Sequence, residues 1–160
     1  MNKDNFIFFW GGPYSQWHKS DFEINRVTYN TCEQYMMAKK ALLFNDIESH
    51  DKIMDSFDPR EQKELGRGVK GFNRDVWEKE CKRFVYDANF AKFTQNPELY
   101  DLIMLSGSKE FVEASPNDKI WGIGLSATDP LAWDKATWKG TNWLGETLMV
   151  VRSALYREVE

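Results

Sequence analysis

Six helix starts punctuate this chain, and together they commit it to a helix-dominated fold. Asn30 or Thr31 caps a helix predicted to run to about Phe44, with Glu33 and Gln34 as the capping-box partners three residues on. Asp46 opens a shorter helix to about Ser56. Asp58-Pro59-Arg60-Glu61 supplies an acidic cap, a first-turn proline and a glutamate three residues on; that helix is expected to stop at Gly66. Asn73 starts the longest helix, in which Trp77, Cys81, Phe84, Val85, Ala88 and Ala91 recur on one face. Asn96-Pro97-Glu98 begins another, ending at Gly107. Asn142 caps the last, with Leu144, Leu148, Val151 and Leu155 turned inward.

What is left over is short. Residues 6–10 read as a strand, and 22–24 with 27–29 read as a hairpin about Asn25-Arg26. Phe111-Val112 reads as a further short strand. Residues 115–141 carry Gly, Pro, Asp and Trp without period, the mark of an ordered functional loop. At 160 residues the length fits one domain. The expected fold is mainly α, a helix-dominated α+β domain with a small N-terminal β element, single and compact over residues 1–160.

Composition removes several function classes. A net charge of −4 and a pI near 5.3 argue against a nonspecific nucleic-acid binder, which needs a basic face. Some of the 11 Phe, 7 Trp and 6 Tyr are expected in the core, and so many Trp residues also favour a site that stacks a flat ring. The N-terminal residues show no apolar stretch of signal length, and no run approaches 18 apolar residues. Cys32 and Cys81 stand alone, so a reduced, cytoplasmic setting is expected. With only His18 and His50, and no Cys-x-x-Cys, no zinc site is expected. Gly66–Gly71 matches G-x-G-x-x-G and Gly122–Ala127 its alanine variant. The first follows a helix and the second runs into Thr-Asp-Pro, so neither has the strand-then-helix setting of a dinucleotide site. There is no P-loop and no G-x-S-x-G.

Chemistry concentrates elsewhere. Glu33 and Lys40 lie seven residues apart, within about 20° of two full helical turns, and so project from one face roughly 10 Å apart along the axis. A sugar fits between their tips. The plainer reading makes Glu33 a capping carboxylate and Lys40 a solvated lysine. Asp118, Trp121, Gly122 and Gly124 cluster in the aperiodic loop, where two glycines let backbone approach a ligand while an indole stacks on it. Alternatively they form a tight turn with Trp121 plugging the core. Trp77 lies on an apolar helix face, where core is the default. Arg67, between two glycines just past a helix, suits a phosphate or plain solvent. Asn142 and Trp143 open a helix whose free N–H groups receive an anion; the simpler role of Asn142 is the cap.

Several separated segments now come together. They are Ser15-Gln16-Trp17 with Phe22; Tyr29–Ala41, holding Glu33 and Lys40; Leu43–Asp46; Leu65-Gly-Arg67; Trp77; Lys92–Asn96; Val112–Gly124; and Trp138–Gly145, then Leu148-Met149 and Arg152. In this order, over nearly the whole chain, they resemble the NADAR family, the YbiA-like N-glycosidases. The resemblance implies a small helix-rich domain that hydrolyses a bond between ribose and a base-like amine. The substrate classes it implies are phosphorylated ribosylamino-pyrimidine intermediates of riboflavin synthesis and ADP-ribose attached to guanine. The family's Glu and Lys fall on Glu33 and Lys40, and the Asp and Trp of its Asp-x-x-Trp-Gly segment on Asp118 and Trp121. Where many members have His after the Glu, this chain has Gln34; where some have Asp between the two glycines, it has Ile123. The implied catalytic set is Glu33, Lys40 and Asp118. The implied substrate-binding set is Trp121, Trp77, Arg67, Gly122, Gly124, Asn142 and Gln16. No metal or organic cofactor is required. The partner is a small nucleotide-like substrate, extending to ADP-ribosylated guanine in nucleic acid, and no membrane is involved. The alternative is a non-catalytic module binding ADP-ribose or a flavin precursor on the same fold.

Overall fold

Thr31 is extended (φ −145°, ψ 158°), and its hydroxyl accepts the Gln34 N–H at 2.9 Å, so the chain turns into helix α1 (Cys32–Leu43) in this computed structural model, which describes residues 3–160. Gln34 completes the start: its Oε1 accepts the Asn30 N–H at 2.8 Å, and its Nε2 donates to the carbonyls of Ile53 and Ser56. Gln62, wholly buried, accepts from the Thr31 hydroxyl at 2.6 Å and donates to Asn30 Oδ1 and Ser56 O. The hydrogen bonds of these two buried amides thus join one helix start to two later segments, as buried polar groups require.

Those segments are helices α2 (Ile47–Met54) and α3 (Pro59–Arg67), started by the side chains of Asp46 and Asp58. Asp46 also accepts the Lys70 N–H at 2.9 Å, pinning the chain beyond α3 to the start of α2. Asn73 caps α4 (Arg74–Gln95) through the Val76 N–H. Helix α1 packs on α2, α3 and α4, with Cys32 through Ala38 all buried. Strands β1 (Phe6–Phe9), β2 (Phe22–Ile24) and β3 (Val27–Tyr29) precede α1. The β2–β3 hairpin pairs Phe22 with Tyr29, rings 5.8 Å apart, and Asn25 and Arg26 both take positive φ, the signature of a mirror-image two-residue turn. Helix α5 (Pro97–Met104), strand β4 (Glu110–Glu113) and helix α6 (Trp143–Glu158) complete the order.

The chain divides into two compact units: Gln16–Leu99, and the described residues up to Ser15 together with Tyr100–Glu160. In the second, β1 runs parallel to β4, Phe6 opposite Glu110 and Phe9 opposite Glu113. Phe6, Val112, Ile123, Leu125 and Ala132 form its buried cluster, with Phe8, Trp133 and Trp138 packed against it. Residues 115–141 are ordered, as expected, by two 3-10 turns, Pro130–Trp133 and Lys135–Thr137. The helix-dominated α+β class holds, but the β element is not confined to the N-terminus, because β1 finds its partner a hundred residues on.

Two local expectations are corrected. Helix α3 does not stop at Gly66 but runs to Arg67, with Gly68 as its cap. Gly66 serves packing instead: any side chain there would run into Met37 of α1. Asn142 stands at the N-cap of α6, but its side chain makes no capping bond. It sits in the left-handed region (φ 54°), and its amide bridges to β4, accepting from Glu113 N at 3.0 Å and donating to Phe111 O at 2.9 Å. Among the described residues no helix is long and apolar enough to cross a membrane.

Candidate active site

The start of α1 delivers Glu33 and its last turn Lys40, both within the Gln16–Leu99 unit. Thr31 and Gln34 carry the capping bonds, so Glu33 is not needed as the capping carboxylate, yet it is 93% buried. Its backbone N–H donates to Gln16 O at 3.0 Å, which fixes Gln16 beside it. Two turns on, the Lys40 ammonium lies over two rings, 4.7 Å from the centroid of Phe72 and 5.5 Å from that of Trp77. It is half-buried and no freely solvated lysine. Burial lowers its pKa, the charge of Glu33 raises it and that of Arg67 lowers it further; the net direction is down.

Arg67 comes from the end of α3, exposed but close enough to act on Lys40. Trp77 stands on α4, half-buried, its ring 6.0 Å from that of Phe84. Glu33, Lys40, Arg67, Trp77 and Gln16, expected from sequence, therefore share one unit. Phe72 was not foreseen: it lies in the aperiodic link between α3 and α4, where the glycine pattern drew attention and no helical face marked the ring. Its exposure of 46%, for a large aromatic beside a lysine, is the signal that structure adds.

The remaining expected residues lie in the other unit. Asp118 Oδ1 accepts the N–H groups of Ile120 and Trp121, at 2.9 and 2.8 Å, so this carboxylate shapes the turn that carries Trp121. The Trp121 ring is half-buried, edge-on to Trp143 at 5.6 Å; Ile123, wholly buried, is what enters the core. Gly122 is required by close approach, since a Cβ would stand 2.8 Å from Glu113 O, and Gly124 by its φ of 71°. At the start of α6 the N–H groups of Trp143 and Leu144 already donate to the carbonyls of Ile120 and Trp121, so these two are not free to receive an anion.

The NADAR domain family matches residues 8–156 of the chain. An N-glycosidase of Acanthamoeba polyphaga mimivirus is 41% identical over 165 residues, covering 95% of this chain and 97% of that protein. A chloroplastic riboflavin biosynthesis protein of Zea mays, PYRR, is 30% identical over 80% of this chain, a match that occupies 20% of the maize protein. The NMR structure of the E. coli protein YbiA superimposes with a TM-score of 0.80 at 28% identity, covering 99% of this chain and 89% of that one. The chain belongs to the NADAR domain family and is an N-glycosyl hydrolase.

Proposed function

We propose that this enzyme cleaves the bond between ribose and the exocyclic amine of a base-like ring, with phosphorylated ribosylamino-pyrimidine intermediates of riboflavin synthesis as its first substrate class and ADP-ribosylated guanine as its second. The observation that carries the reading is Lys40. Its amine is lodged against Phe72 and Trp77, in the fields of Glu33 and Arg67, with a lowered pKa. Burial shifts this lysine toward the neutral amine that attack on a sugar carbon needs. The riboflavin protein among the relatives supports the first substrate class.

The chemistry follows from the substrate. Glu33 protonates the ring oxygen, the C1–O bond opens, and the exocyclic nitrogen becomes an imine on C1. The Lys40 lone pair adds to C1. A proton passes to the exocyclic nitrogen, the C1–N bond breaks, and the base leaves as a neutral amine. Water then adds to the Lys40–C1 imine, releasing lysine and free sugar. Glu33 is the proton carrier at each stage, Trp77 and Phe72 lie against the flat ring, and Arg67 pairs with phosphate. In the other unit Asp118 acts by positioning Trp121.

The test is borohydride reduction during turnover of each substrate class. The expected result is a sugar adduct on Lys40 and none on Lys39, whose side chain points about 100° away on the helix. Lys40→Arg keeps the charge but not the nucleophile, since arginine stays protonated, and it is expected to be nearly inactive. An active Lys40→Arg variant with no adduct would instead assign direct hydrolysis through an oxocarbenium-like state, with Glu33 activating water.

A further inference from the structure

Trp17 is 37% exposed, and the Lys63 ammonium lies over its ring, 5.9 Å from the centroid. A large ring left open to solvent beside a cation is a place where a flat ligand can stack. The two residues come from distant segments, one just before the β2–β3 hairpin and one on α3, and both belong to the Gln16–Leu99 unit.

Their position relative to the reacting groups follows from the way α1 and α3 lie side by side. At the start of α1 the Thr31 hydroxyl donates to Gln62 Oε1 at 2.6 Å. Further along both helices Met37 meets Gly66, and beyond that the charge of Arg67 acts on Lys40. The two helices therefore run in the same direction. Met37 stands four residues after Glu33 and three before Lys40, on the face that carries both. Lys63 thus lies toward the Glu33 end of this face and Arg67 at its Lys40 end, about 6 Å apart along α3 at 1.5 Å per residue. The main chain beside Trp17 is held at the Glu33 end, because Gln16 O accepts the Glu33 N–H at 3.0 Å. The contact with Lys63 turns the indole itself toward α3.

The charges on this stretch are open. Among the described residues neither Lys63 nor Arg67 forms an ion pair, although Glu61 and Glu64 share their helix. The order is then Phe72 and Trp77 around Lys40, next Arg67 and Lys63, and last Trp17. Two free cations between two sets of rings match a ligand with a flat ring at each end and two phosphates between them. A monophosphate that carries one ring extends no further than Arg67.

We infer that Trp17 and Lys63 form a specificity-determining subsite for the far nucleoside of a diphosphate-linked substrate, the second base stacking on Trp17 and the adjacent phosphate pairing with Lys63. This rests on the proposed ribosylamine chemistry and deepens it. The ADP-ribosyl class fills the whole stretch, whereas a ribosylamino-pyrimidine phosphate fills only the Lys40 end.

The experiment measures binding of ADP-ribose by titration calorimetry to wild type, Trp17→Leu, Trp17→Phe and Lys63→Gln, with a thermal melt of each. Trp17→Leu is expected to lose about 5–150-fold in affinity, the equivalent of one base–aromatic stack. Trp17→Phe keeps a ring and is expected to retain most of the affinity. Lys63→Gln is expected to bind more weakly and with a flatter dependence on ionic strength, since one screened charge pair is gone. It stands in should Trp17→Leu fail to fold. Equal affinity in wild type and Trp17→Leu, an equal loss in Trp17→Phe and Trp17→Leu, an unchanged salt dependence in Lys63→Gln, or no binding of ADP-ribose to wild type overturns the inference. Turnover by wild type is the separate readout of the chemistry: binding of ADP-ribose that depends on Trp17, without release of base from either substrate class, overturns the proposed reaction and leaves the subsite standing.

Discussion

At the scale of single residues, the spacing of Glu33 and Lys40 was readable because seven residues bring two side chains to one helical face whatever the tertiary structure does. What spacing could not supply was their environment. Four side chains, Asn30, Thr31, Glu33 and Gln34, could have served the start of α1, and only the structure shows that Thr31 and Gln34 take that work while Glu33 is buried beside them. Glu33→Gln is therefore expected to melt within a degree or two of wild type and to lose turnover by roughly 10²–10⁴-fold, the range for removing a general acid–base; steady-state kinetics beside a thermal melt checks both. Gln16 and Phe72 were harder. The first was reached only through resemblance, and the second not at all, because neither sits on a periodic face and their meaning lies in what surrounds them.

At the scale of elements, helix starts were legible because a cap is a local event between residues two or three apart. Stops and pairings were less so. Gly66 has the look of a terminator, but its lack of a side chain answers to Met37 on α1. Gly66→Ala is expected to cost on the order of 1–3 kcal/mol by overpacking. In urea titrations Met37→Ala should cost less in the Gly66→Ala background than alone, since each change relieves the other. Asn142 shows the same limit: its left-handed backbone and its bridge to β4 depend on a strand 29 residues upstream. Asp46 offers a pH test. Backbone N–H groups of Lys70 and Ser49 and the Ser49 hydroxyl hold its carboxyl down at about 2, below the ordinary 3.8. The unfolded chain thus takes up a proton more readily, so the stabilisation is complete above pH 3.8 and fades as pH falls towards 2. Asp46→Asn is expected to lower the urea midpoint at pH 7, and this gap should narrow steadily as the acid range is crossed.

At the scale of the whole molecule, the helix-dominated class followed from accumulated local signals, whereas the β1–β4 pairing did not, since parallel strands a hundred residues apart leave no mark in either segment alone. The two thiols report on integrity. Burial pushes Cys32 up to about 11 and raises Cys81 as well, so neither is a ready thiolate at neutral pH. Both are expected to resist iodoacetamide in the native protein at pH 8 and to react together as urea opens the Gln16–Leu99 unit; fast labelling without denaturant would contradict the packing described. The parallel pair has a further consequence, in the order of events on the ribosome. Gln16–Leu99 is continuous in sequence and can fold as it emerges. Strand β1 is made first and yet must wait for β4, while Tyr100–Glu160 is still being added at about 5–20 residues per second. For several seconds the apolar Phe6–Phe9 strand has no sheet partner, which makes this strand the natural point of engagement for a chaperone.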